Sequence, residues 1–134
     1  MFKFVDLPLQ LPELESVDRN GKRYYPVPNG KFYPSITTVT SFKKVAQIME
    51  WRKRVGEEAA NKKTARATSR GTSYHSIVET YLKNEPVETY KDKILAFNLF
   101  QVSKPILDRI SNIHALETSL YSDYLGVAGR VDCI

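Results

Sequence analysis

His75, Glu117 and Asp132 are of the residue types that ligate metal ions. His75 lies in Gly-Thr-Ser-Tyr-His-Ser-Ile-Val-Glu-Thr-Tyr-Leu (71–82), four residues before Glu79. At about 100° per residue, Tyr74, Ile77, Val78, Tyr81 and Leu82 form one apolar helix face. Thr72, His75 and Glu79 fall in a sector of roughly 60° beside it. His75 and Glu79 are then one turn apart and able to act on one object. Alone, a His-xxx-Glu pair is more often a boundary histidine bonded to a surface carboxylate. Gly71, on the packed side, would let the helix start approach another backbone.

Glu117 and Asp132 fall in HALETSLYSDYLGVAGRVDCI (114–134), which reads as two strands around a turn at Asp123-Tyr124-Leu125-Gly126. If the hairpin closes symmetrically, with Ser122 and Val127 flanking the turn, Glu117 faces Asp132. Like charges opposed on a sheet are unfavourable unless a cation lies between them. Oxygen ligands of this kind suit Mg²⁺ or Mn²⁺. A bulge would shift the register, and two carboxylates that merely face solvent are the alternative.

The elements that would position these residues predict an α+β chain. Residues 1–20 carry Pro8 and Pro12 and read as an extended arm. Residues 21–34 alternate aromatics with turn formers around Asn29-Gly30, a hairpin signal, with prolines that confine it to an edge. The arm and edge hairpin therefore cover 1–34, a helical part 35–110, and a β-hairpin 111–134. Ser35 is the expected N-cap of a short helix ending near Phe42. A second helix is expected over 45–67, weakened at Gly56. A third should start near Gly71-Thr72 and end before Pro86. A fourth should span 91–110 with a kink or break at Pro105. Its apolar residues surround most of the helix, which predicts burial on all sides.

The chain has 134 residues and carries +5. Residues 43–70 hold nine Lys or Arg against three Glu, a local balance of +6, and the remainder sums to −1. Charge concentrated in this way favours a polyanion partner, although a single basic helix is as often a solvated face. One cysteine, Cys133, excludes an internal disulfide and a self-contained iron–sulfur or cysteine-rich zinc site. No apolar run reaches the ~20 residues of a membrane span. The N-terminus has no signal-like apolar region. The expected location is cytoplasmic, the host cytoplasm if the gene is phage-borne.

Gly71-Thr72-xx-His75-xxx-Glu79, then Glu117, then Leu125-Gly126-xx-Gly129-xx-Asp132-Cys133, in this order, resemble the PD-(D/E)xK nuclease superfamily. The similarity is greatest to its RecB-like branch, with the mitochondrial genome maintenance exonuclease and related phage exonucleases. Tyr33-Pro34-Ser35-Ile36-Thr37-Thr38-Val39, Trp51-Arg52 and Ala65-Arg66-Ala67-xx-Arg70-Gly71-Thr72 are similar to the upstream region of that group. The resemblance spans residues 24–134. It implies a helical N-terminal part followed by the first two strands of an incomplete nuclease core, in one partial domain.

It further implies Mg²⁺- or Mn²⁺-dependent hydrolysis of DNA phosphodiesters, with single strands preferred. His75, Glu117 and Asp132 would be the catalytic metal ligands, with Glu79 and Thr72 supporting them. Arg52, Lys53, Arg54, Lys62, Lys63, Arg66 and Arg70 would contact phosphates, and Trp51, Tyr24, Tyr25 and Tyr33 would stack bases or pack in the core. The chain departs from the pattern in one respect. No Asp-x-Lys or Glu-x-Lys occurs in it, so the expectation is a truncated or split nuclease. It would be silent alone, and would be completed by a polypeptide carrying the next strand or self-associate through its terminal strand. The alternative is a basic module of nuclease ancestry that binds nucleic acid without cutting.

Overall fold

The computed structural model describes residues 1–134 and is α+β. The order is β1 (Val17–Arg19), β2 (Lys22–Pro26), β3 (Phe32–Pro34), α1 (Ile36–Ser41), α2 (Val45–Val55), α3 (Glu57–Leu82), α4 (Ile94–Leu107), β4 (Leu116–Ser122) and β5 (Val127–Cys133). By contact the chain divides into two units, Met1–Asp6 with Arg52–His114, and Leu7–Trp51 with Ala115–Ile134. No helix is long and apolar enough to cross a membrane.

The first unit is built on α3 and α4. α3 is a single helix from Glu57 to Leu82, so the expected start near Gly71 is wrong. Lys62 to Arg70 is rich in good helix formers, and one glycine costs only about 1 kcal/mol in a long helix. Gly71 has nothing within 4 Å of where a Cβ would stand, so no backbone approaches it there. The interruption lies at Gly56, whose φ of +86° separates α2 from α3. Glycine reaches that conformation without a Cβ clash. The apolar face of α3 behaves as its spacing requires. Ile77 is fully buried with Ala96 and Phe100 of α4, and Tyr74, Val78 and Tyr81 pack around them. Full burial of Ile77 or Phe100 stabilises the unit by about 1.5–3 kcal/mol each.

The expectation of an α4 buried on all sides is overturned. Ala96 and Phe100 are buried, but Ile94, Leu95, Leu99, Val102 and Ile106 are exposed. α4 continues through Pro105 to Leu107. Residues 1–6 are tied down in this unit. Phe4 bridges Ile113, and Asn84 bonds both the N–H and the carbonyl of Phe2.

The second unit holds two small antiparallel sheets, β1-β2-β3 and β4-β5. β1 was not expected within the arm. It pairs Val17 with Tyr24 across a turn in which Asn20 and Gly21 both have positive φ. Asn-Gly is the dipeptide such a hairpin turn favours. The strand ending in Pro26 is therefore central in its sheet rather than an edge, with the proline at its end. Tyr25, Val27, Tyr33 and Ala128 form the buried cluster, with Leu14 against it. Gly129 carries the close approach of α1 to β5. A Cβ there would stand 2.9 Å from Ile36 Cγ2.

Candidate metal centre and nucleic-acid surface

β4 and β5 pair in the symmetric register, from Ser122 with Val127 through Thr118 with Val131 to Leu116 with Cys133. Glu117 and Asp132 are the facing positions between the last two pairs. A carboxylate oxygen of Glu117 lies within 4.8 Å of one of Asp132. Both side chains therefore leave the same face of the hairpin, near its open end. By alternation Ser119, Ala128 and Arg130 share that face. Ser119 and Ala128 are buried, and the Ser119 hydroxyl donates to the Leu14 carbonyl. The carboxylates thus follow directly on the packed middle of the face.

Glu117 has a φ of +50°. A left-handed residue in a strand is strained, at a cost of about 1–3 kcal/mol that the surrounding structure must hold. The register is the same on both sides of it, so no residue is inserted and the distortion is local. Arg130, two positions before Asp132, places Nε 3.0 Å from Glu117 Oε2. Motif reading passed over Arg130. Its signal was available, since a residue two before Asp132 must share its face and reach Glu117 diagonally.

At the other end of the hairpin, Gly126 with φ +62° closes the turn, its N–H donating to the Ser122 carbonyl at 2.8 Å. Asp123 accepts the Tyr33 hydroxyl at 2.7 Å and an N–H of Asn29 at 3.0 Å. The Asp123 bond pushes the Tyr33 phenol above its ordinary value. Tyr25 and Tyr33 are core residues, so of their two sequence readings, core packing holds and base stacking does not. Tyr24 and Trp51 are half-buried.

In the first unit, His75 is exposed on α3. Glu79 is one turn on, but its carboxylate is held by Lys83 at 2.6 Å, an i,i+4 pair. Thr72 lies within the helix and its carbonyl accepts the Ser76 hydroxyl. Arg52 is committed to structure. Its guanidinium binds Glu57 at 2.6 Å and Asn61 at 2.5 Å, across the Gly56 break. This contact holds the Glu57 carboxyl below its ordinary value. Lys62 pairs with Glu58 at 3.0 Å in an exposed i,i+4 contact. Such a pair contributes only a few tenths of a kcal/mol and yields readily to a phosphate. Lys53, Arg54, Lys63, Arg66 and Arg70 are exposed along α2 and α3.

No family model, no curated protein and no solved structure matches the chain.

Proposed function

We propose that the chain carries part of the Mg²⁺ or Mn²⁺ site of a DNA exonuclease, acting on single strands. The observation supporting this most directly is the Glu117–Asp132 carboxylate pair, held within 4.8 Å at a strained backbone position. Two oxygens on one Mg²⁺ stand at most about 4.2 Å apart, given bonds of 2.0–2.1 Å. Sub-ångström rotation would close the pair onto an ion. The resemblance to the nuclease superfamily, rather than the placement of the two units, is the ground for proposing His75 as a third ligand and Glu79 and Thr72 as supporting residues. When bound, the ion supplies an activated water and offsets charge on the phosphate in flight. Glu117 and Asp132 orient it, and Lys53, Arg54, Lys62, Lys63, Arg66 and Arg70 draw the strand in through its phosphates. The lysine that such sites use would come from a further strand, since residues 1–134 hold no Asp-x-Lys or Glu-x-Lys.

Manganese titration of the full chain by calorimetry tests the site. One site, lost in Asp132→Asn and weakened in Glu117→Gln, is expected. Single-stranded oligonucleotide binding separates the non-catalytic reading. About four phosphate contacts give a log K against log salt slope near −3, at ~0.7 per phosphate. Replacing Lys62, Lys63, Arg66 and Arg70 with Ala should flatten it. Oligonucleotide binding without manganese binding would leave a basic binding module. Degradation by the chain alone, lost in Asp132→Ala, would show that the lysine is replaced.

A further inference from the structure

α4 has two apolar faces, and packing within its unit uses one of them. Ala96 and Phe100 face α3. Leu95, Leu99, Val102 and Ile106 fall in a separate sector of about 60°, by the 100° step. They are 67%, 48%, 78% and 68% exposed. Their spacing of four, three and four is that of a helix seam that packs another helix. Beside the seam lies a groove of about 710 Å³ lined by Ala65, Arg66, Ser69, Arg70, Ser73, Lys93, Leu95 and Ala96. A smaller hollow of about 230 Å³, between Arg70 and Leu95, Asn98, Leu99 and Val102, extends it along α4. Its cations are Arg66, Arg70 and Lys93, the last 3.8 Å from Asp92. The first turn of α4 has no acid, so the positive end of that helix adds to the field.

We propose that this groove docks an acidic amphipathic helix of a partner protein. The seam is aliphatic from end to end, whereas bases stack on aromatic rings, which disfavours nucleic acid as its occupant. A second copy of this chain, paired through the same seam, would bring no carboxylate to Arg66, Arg70 and Lys93, because residues 95–106 contain no Asp or Glu. A helix with apolar residues at matching spacing and flanking Asp or Glu satisfies both features. Its apolar side covers Leu95, Leu99, Val102 and Ile106, and its acids meet the three cations. This inference does not depend on the metal site, but it shares Arg66 and Arg70 with the proposed phosphate surface, so an acidic helix and a single strand would compete there, and only the helix would need Leu99 and Val102.

The test uses the full chain and a labelled synthetic 18-residue helix with Leu at four–three spacing and Glu at the flanking positions, followed by fluorescence anisotropy. Saturable binding is expected. Leu99→Gln with Val102→Gln, both exposed and good helix formers when changed, should weaken it at least about tenfold, as loss of two buried side chains requires. Arg66→Gln with Arg70→Gln should weaken it and reduce its salt dependence. The same peptide with Lys in place of Glu should not bind. Equal binding of both peptides, or binding indifferent to the Leu99/Val102 change, would overturn the proposal. So would a concentration-dependent dimer abolished by that change. An oligo(dT) probe or anionic vesicles that require Leu99 and Val102, while the acidic peptide does not bind, would reassign the surface.

Discussion

Arg130 holds the carboxylate that the proposed cation would need, so its removal should tighten metal binding. The Glu117 side chain is 22% exposed and that of Arg130 is 58% exposed. An exposed ion pair contributes about 0.2–1 kcal/mol, and partial burial of one member puts this pair near the upper end. An ion seated on Glu117 and Asp132 would compete with that contact for the carboxylate charge. It would also lie near the guanidinium charge. At roughly 6 Å in water two unit charges repel by about 0.7 kcal/mol, doubled for a divalent ion and reduced by salt. Together these effects oppose binding by about 1.5–2 kcal/mol, roughly ten- to thirtyfold in Kd. Arg130→Gln should therefore bind Mn²⁺ about that much more tightly in a calorimetric titration. Arg130→Lys, which keeps the charge but not the fixed fork, should fall between. Weaker manganese binding in Arg130→Gln would mean that Arg130 preorganises Glu117, and unchanged binding would mean that the ion does not use Glu117.

Glu117→Gly should be more stable than Glu117→Ala by about 0.5–1 kcal/mol in denaturant unfolding, because only glycine accepts a positive φ without a Cβ clash. Equal stabilities would remove the strain argument. The Asp108 carboxyl is held below its ordinary 3.8, first by the Tyr81 hydroxyl and then by Lys104. A group depressed on folding contributes stability above its unfolded value and loses it as pH falls through the folded one. The melting-temperature gap between wild type and Asp108→Asn should be constant near neutrality and close as pH drops below 3.8; a gap widening in acid would contradict this. Phe100→Ala, at a 1% exposed position, should destabilise the first unit by about 3–5 kcal/mol in thermal unfolding. A loss under 1 kcal/mol would show that the α3–α4 core is not cooperative.

Local rules in the sequence determined several elements. Alternation and a four-residue turn were enough for the β4–β5 register, and hence for Glu117 facing Asp132, because a symmetric hairpin admits few pairings. The 3.6-residue period of Tyr74, Ile77, Val78 and Tyr81 marked the buried face of α3. Gly56 marked the α2–α3 break. The turn at Asn20-Gly21 is missed and residues 1–20 read as an extended arm, because the short, exposed strand before it has no period to support the Asn-Gly signal.

Other features depend on partners far apart in the chain. Whether Gly71 opens a helix or lies within one depends on the run before it, since one glycine costs a long helix little. The composition of α4 could not distinguish a helix buried on all sides from one with an open seam. That is decided by which faces α3 covers. Tyr25 and Tyr33 became core residues because Ala128 arrives from a strand about a hundred positions later. Arg52 became a clamp because Glu57 and Asn61 come round on the next helix. The left-handed backbone of Glu117 and its contact with Arg130 have no local code. They arise where pairing on both sides of one residue holds it in a conformation its own side chain disfavours.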